Sequence, residues 1–329
     1  MIGTGVLCRI RLRRAVLSVG IAVAGAVFLG AAAAALLWCE MRPPGGPDRS
    51  RTVVVPPGET TWQIGRRLAE ARVVRSARAV VIAARLRRVD GRLRSGEYAL
   101  SPAQSAWQIV GVLARGEAIL HRITIPEGFT AAQIADALAE AGLADRDRFL
   151  DLALRSEGYL FPDTYLLPRG LGEPALVARF LGRFDAVIGA DLREAARARG
   201  LSLHQLVTVA SMIEREARVP EERAVIAGVI YNRLRLGMRL EIDATVLYAL
   251  GRHKAELALA DLAVDSPYNT YRNPGLPPGP IANPGLAAVA AAAAPAETPF
   301  LYYVLRPDGS HHFSRTLREH QDAIIRYRR

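Results

Sequence analysis

The 329-residue chain is half apolar and carries 43 Lys and Arg against 32 Asp and Glu, a formal charge of +11 at pH 7. That length accommodates about two domains with a sizeable core. Lys254 is the sole lysine; the arginines are scattered, without zinc-finger spacing or a basic-aromatic stripe. No nucleic acid is therefore expected as a partner, and the charge fits a general attraction to acidic polymers or lipids.

In chain order, residues 1–14 read as a cytoplasmic tail and residues 15–39 as a transmembrane helix. The run from Ala15 to Trp38 holds no charge and is long enough to span a bilayer. Arg9, Arg11, Arg13 and Arg14 precede it, so the positive-inside rule leaves the N-terminus in the cytoplasm and exports the rest. A cleaved signal peptide is the competing reading, but its apolar region is usually about 7 to 15 residues. Trp38 is too bulky for the residue preceding a lipid-attachment cysteine at Cys39. Cys8 and Cys39 fall on opposite sides of the membrane, which leaves no internal disulfide. Residues 40–51, rich in Pro and Gly, read as a linker, and the folded part is expected to begin near Thr52.

An internal repeat follows at an offset of 70, where VPPGETTWQIGRRLAEA (Val55 to Ala71) overlays IPEGFTAAQIADALAEA (Ile125 to Ala141). Each copy predicts a strand, a Gly turn and a helix opened by a capping box, Thr60 with Gln63 and Thr130 with Gln133. A partial third copy starts at Ser105, its box formed with Gln108, after a short strand over Gly96 to Leu100. Such units resemble the LysM-like modules that bind cell-wall glycan. The expected layout is α+β: the single transmembrane helix, a LysM-like αβ module over 52–120, and a mixed α/β catalytic domain over 121–329 whose second LysM-like repeat occupies 121–155. A repeat that merely packs is the plainer reading.

EGYLFPDTYLLP (Glu157 to Pro168) predicts a turn leading into a short strand. From Ser202 a long helix is expected, with His204, Thr208, Ser211 and Arg215 on a polar stripe and Leu206, Ala210, Ile213 and Ala217 opposite. Glu214 and Glu216 flank Arg215 at about 100° on either side, so periodicity does not choose between them. A carboxyl against apolar neighbours has its pKa raised and serves as a general acid near neutrality; a surface ion pair with Arg215 or Arg218 is the alternative. Beyond lie Asn232, Arg233, Glu241 and Asp243, then SPYNTYRNPGLPPGPIANPG (Ser266 to Gly285), a polar loop stiffened by six prolines. Its Tyr268, Asn269, Thr270 and Tyr271 suit a sugar polymer. A hairpin turning at Asp308 and Gly309 and a closing helix from near Thr316 complete the chain. His311, His312 and His320 with Glu319 fit no zinc spacing, so no metal is expected.

As an ordered set, EGYLFPDTY, ASMIERE, YNRL, the spacing from Met238 to Tyr248, SPYNTY, GLPPGPI with NPG, and HHFS followed by EH resemble the membrane-anchored endolytic murein transglycosylases. The resemblance implies cleavage of the β-1,4 bond between N-acetylmuramic acid and N-acetylglucosamine in nascent peptidoglycan strands, with Glu214 as the catalytic acid/base. Glu214 would protonate the leaving oxygen, then take the proton of the muramic C6 hydroxyl as it closes on C1, giving a 1,6-anhydro end. The substrate supplies its own nucleophile, so one carboxylate suffices and no cofactor is implied. Asn232, Asp243, Tyr268, Asn269 and Thr270 would line the glycan cleft, with Arg233, Glu241 and His312 also at substrate. Glu241 stands where the family often has Gln. Implied partners are glycan strands, the inner membrane and peptidoglycan synthases, with the catalytic part periplasmic. The rivals are a two-carboxylate hydrolase using Asp243 or Glu241 as base, a non-catalytic glycan-binding scaffold, and a pyridoxal-phosphate lyase, which would need Lys254 in a closed pocket.

Overall fold

The computed structural model describes residues 24–32, 34–45, 49–251, 254 and 257–327. The expected cytoplasmic tail and the first third of the expected membrane span lie outside the described residues. Within them, helix α1 (Ala24–Met41) has a mean hydropathy of 1.7 over 18 residues, with none of it buried. It runs past Cys39, which is free and exposed, into what the sequence suggested was linker.

The chain divides into two compact units, residues 1–120 with 168–170, and residues 121–167 with 171–329. In the first, β1 (Arg51–Val55), α2 (Thr61–Glu70), α3 (Ala77–Leu86) and β2 (Gly96–Leu100) form a βααβ motif closed by antiparallel pairing from Arg51 opposite Leu100 to Val55 opposite Gly96. Thr60 caps α2 and Gln63 returns to its backbone, the reciprocal arrangement that satisfies two orphan donors. Gly65 lets α2 approach α3, since a Cβ there would stand 2.8 Å from the Ala77 carbonyl oxygen. Helix α4 (Ala106–Arg115) covers the motif, capped by Ser105 and Gln108. Ile64, Leu68, Tyr98, Leu100, Ile109 and Leu113 are fully buried in this core; each large apolar side chain so buried contributes about 1.5–3 kcal/mol.

The second unit opens with the same motif: β3 (His121–Thr124), α5 (Ala131–Glu140), α6 (Arg146–Ala153) and β4 (Thr164–Leu167), again closed by antiparallel strands. Both copies therefore hold a second helix and a returning strand beyond the strand, turn and helix visible in the repeat, and the second copy extends to Leu167. Its core of Ile134, Leu138, Phe149, Leu160 and Leu167 is shared with Phe180 of α7 (Glu173–Val187).

After α8 (Ala190–Ala198), helix α9 (Leu203–Glu216) runs through the second unit with every residue from Leu206 to Ile213 buried. Its packing partners include α10 (Arg223–Arg235), α11 (Asp243–Leu250) and α12 (Leu286–Ala293). The expected polar stripe is thus covered at its middle. Thr208 donates to the His204 carbonyl at 2.7 Å and Ser211 to that of Thr208 at 2.8 Å. Ser211 Oγ also accepts the Ile281 N–H at 3.0 Å, so the stripe receives the proline-rich loop rather than water. A hairpin of β5 (Tyr302–Leu305) and β6 (His311–Ser314) turns at Gly309, φ +86°, and leads into α13 (Leu317–Tyr327).

Candidate active site

Among the described residues, three carboxyl groups around α9 and the start of α5 are withdrawn from water, each at a junction of separate chain segments. Glu214, in the last turn of α9, has a side chain only 8% exposed. One oxygen accepts the Gly285 N–H at 3.0 Å, and Arg223 Nη2 stands 3.9 Å from the other. Gly285 is the N-cap of α12, so an orphan backbone donor of that helix is spent on the carboxyl. Burial pushes the Glu214 pKa up; the Gly285 N–H opposes this, Glu127 adds to it, and Arg223 and Arg215 oppose it. Burial wins, and the net effect is to raise the pKa above the ordinary carboxyl value.

Glu157, 8% exposed, is the second. Both its oxygens accept the Ala131 N–H at the start of α5, at 3.1 Å, and one takes the Asn283 amide at 2.9 Å. Burial raises its pKa to about 7 against these hydrogen bonds. Asn283 is the hub of this junction: its side chain also accepts the Leu160 N–H and donates to the Phe129 carbonyl, while its backbone pairs with Gly128 and Phe129. The segments IPEGF, EGYLF and NPG, distant in sequence, are thereby fastened together. Tyr268 belongs here, its ring 4.9 Å from that of Tyr248 and its pKa raised by burial and then by Glu157.

Glu216 is the third, half-buried, accepting the Tyr303 hydroxyl at 3.0 Å. Burial raises its pKa to about 7, with Asp243 adding to the effect after the opposing Tyr303 hydrogen bond. It is therefore no surface ion pair with Arg215 or Arg218. Asp243, exposed at the start of α11, takes the Tyr271 hydroxyl at 2.5 Å.

The other expected site residues mostly spend their polar groups inside the fold. Asn232 donates to the Thr298 and Phe300 carbonyls, and Arg233 to those of Leu301, Arg239 and Leu240 and to Glu241. YNRL thus bolts the C-terminal hairpin to α10. Asn269, fully buried, ties the Leu262 and Val264 carbonyls to the Tyr271 N–H, and Thr270 meets Thr245 and the Ile242 N–H. Glu241, at φ +52°, is one of three described non-glycine residues in the left-handed region. His312 meets Arg306 and the Tyr327 ring, His311 pairs with Glu222, and His320 stacks on Tyr302. Among the described residues no group of His, Cys, Asp and Glu is arranged to hold a metal. Lys254 is held in an ion pair with Asp261 at 2.6 Å, its side chain 28% exposed.

Of the expected residues, the structure brings Asp243 near Glu216 and Tyr268 near Glu157, while Glu241 pairs with Arg233; Glu214 is ringed by Glu127, Gly128, Gly285, Arg223 and Arg215. Glu127, Glu157 and Asn283 were not picked out from the sequence. Glu127 had a readable signal, because the first repeat carries Pro57 at its place.

The chain is 42% identical over 174 residues to the endolytic murein transglycosylase of Bacillus subtilis (strain 168), a match covering 52% of this chain and 48% of that protein. It is 33% identical over 226 residues to the endolytic murein transglycosylase of Streptococcus pneumoniae serotype 2, covering 57% of this chain and 41% of the other. The match thus spans less than half the length of either relative. The crystal structure of a YceG-like protein from Listeria monocytogenes superposes with a TM-score of 0.57 at 33% identity, covering 84% of this chain and 99% of that one. The model of the YceG-like family matches residues 53–326, nearly the whole folded chain, and the protein belongs to that family.

Proposed function

We propose that the protein is an endolytic murein transglycosylase, cutting the β-1,4 bond between N-acetylmuramic acid and N-acetylglucosamine with Glu214 as sole acid/base. The observation that carries this reading is the desolvated Glu214 carboxyl, gripped by one backbone N–H and raised in pKa by burial. Such a group arrives at the glycosidic oxygen protonated and leaves it as a carboxylate anchored by Gly285. It is then placed to deprotonate the muramic C6 hydroxyl, and ring closure gives the 1,6-anhydro end without water. The names of the relatives support the same substrate.

In this reading Asn232, Arg233, Asn269 and Thr270 act from behind the cleft, holding the hairpin and the loop, while Asp243, Glu241, Tyr268 and His312 offer polar edges to the glycan. The exposed apolar α1 anchors the protein in the inner membrane with the folded units in the periplasm. The first βααβ motif is a LysM-like glycan-gripping module, to which the exposed Trp62 offers a stacking face. Cuts made beside a synthase would limit strand length.

A two-carboxylate hydrolase is the second reading, favoured by the proximity of Glu127 to Glu214. Mass spectrometry of muropeptides released from purified wall separates the two. Anhydro ends are expected; reducing ends, heavier by one water, would establish hydrolysis.

A further inference from the structure

Glu214 is flanked by a second carboxyl that the single-acid/base reading does not use. Glu127 follows β3, and its carboxyl stands over Gly285 so closely that a Cβ on that glycine would lie 1.8 Å from Glu127 Oε1. The same glycine gives its N–H to Glu214 at 3.0 Å. On the other side Gly128 lies against Glu214, whose Cγ would be 3.6 Å from a Cβ built there. The two carboxyls therefore face one glycine from two directions, Glu127 exposed and Glu214 buried.

The repeat separates what the turn needs from what the site adds. At the offset of 70, Val55-Pro56-Pro57-Gly58 overlays Ile125-Pro126-Glu127-Gly128, and the two glycines adopt nearly the same conformation, φ +80° and +77°. A turn that forms with Pro57 does not require a carboxylate at Glu127.

We infer that Glu127 is a positioning residue for this reaction, its carboxyl standing over Gly285 beside Glu214 so that a second carboxylate there is disfavoured. The inference rests on Glu214 being the acid/base. The Gly285 N–H from α12, Arg223 from α10, and Arg215 from its own helix work the opposite way and favour the carboxylate. Burial and Glu127 favour the acid.

The test is the pH profile of kcat/KM for release of muropeptides from polymeric peptidoglycan by the full chain in detergent. It compares wild type, Glu127→Gln, Glu127→Asp and Glu127→Ala. In Glu127→Gln and Glu127→Ala, the limb on which activity falls with rising pH should move down by about one unit. Rates would then stay within about twofold on the acidic side and drop about tenfold at slightly alkaline pH. Glu127→Asp should keep the limb near its wild-type position. A limb that stays put in the folded Gln or Ala variant, whether the rate is unchanged or uniformly reduced, overturns the inference. Glu214→Gln is measured alongside: if it remains active the acid/base reading itself fails, whereas an inactive Glu214→Gln with an unmoved limb in the Glu127 variants removes only the role of Glu127.

Discussion

The two βααβ motifs, over 51–100 and 121–167, share strand pairing, helix order and the same reciprocal caps, yet they are finished with opposite chemistry. The first carries eleven arginines against four acidic residues, the second four against eight. The first is packed on an apolar core, with Tyr98 sending its hydroxyl to the Arg94 carbonyl at 2.8 Å and the buried Thr61 hydroxyl meeting Asp90 and the Gly91 N–H near its edge. The second is fastened to the rest of its unit by buried polar groups, Glu157 and Asn283 above all. One local code thus makes the scaffold twice, and the second copy contributes Glu127 and Glu157 to the candidate active site. Buried polar networks are demanding, because each member removed leaves others unpaired.

The largest stability effect that probes this contrast is expected from Asn283→Ala. It strands the Leu160 N–H and one side of Glu157 and leaves the Phe129 carbonyl only its backbone bond, and should cost about 3 kcal/mol in urea unfolding. A loss of a few tenths, as at an exposed position, would break the picture of a polar fastening.

Next is Glu157→Gln, read as stability against pH. The folded pKa of about 7 lies above the ordinary value of 4.5, so the native state binds the proton more tightly than the unfolded chain. This contribution is complete below about pH 4.5 and is lost as pH rises to about 7, to the extent of about 1–3 kcal/mol. Glu157→Gln should flatten the decline over that window; an equally steep decline in the variant would show that Glu157 is not its source.

The smallest stability effects sharpen the comparison most, at the equivalent turns. Gly58→Ala and Gly128→Ala each force an alanine into the left-handed region, φ +80° and +77°, at about 1–2 kcal/mol. Gly58 has open space around it, whereas Gly128 faces Glu214 and Arg215 at 3.6 Å. Thermal unfolding should show similar losses, while glycan cleavage should fall only in Gly128→Ala. Equal activity of the two variants would separate the turn from the chemistry.

Local signals in the sequence were reliable wherever a feature is set by nearby residues. The three capping boxes stand as spaced, joined by a fourth at Ser202 and Gln205, and the hairpin turns at Gly309. The returning helices and strands α3, β2, α6 and β4 were less legible as members of the repeat, because that half has drifted apart in sequence while keeping its topology. Periodicity ranked Thr208 and Ser211 as a polar stripe, which they are, but a single helix does not reveal that a loop some 70 residues on would cover it. The same limit applies to Glu214 and Glu216. Both are withdrawn from water, and what distinguishes them is the company of Gly285 and Glu127 on one side and of Tyr303 and Asp243 on the other.

That distinction sets the decisive measurement: release of anhydro-muropeptides from purified wall by wild type, Glu214→Gln and Glu216→Gln, each confirmed as folded. Glu214→Gln keeps the shape and can still accept the Gly285 N–H, but it has no proton to give. Its rate should fall by at least about 10² to 10⁴, toward the upper end because one group serves as acid and base. Glu216→Gln can still accept the Tyr303 hydroxyl and should retain most of the activity. Near-native release by Glu214→Gln, or abolition by Glu216→Gln alone, would contradict the assignment of the chemistry to Glu214.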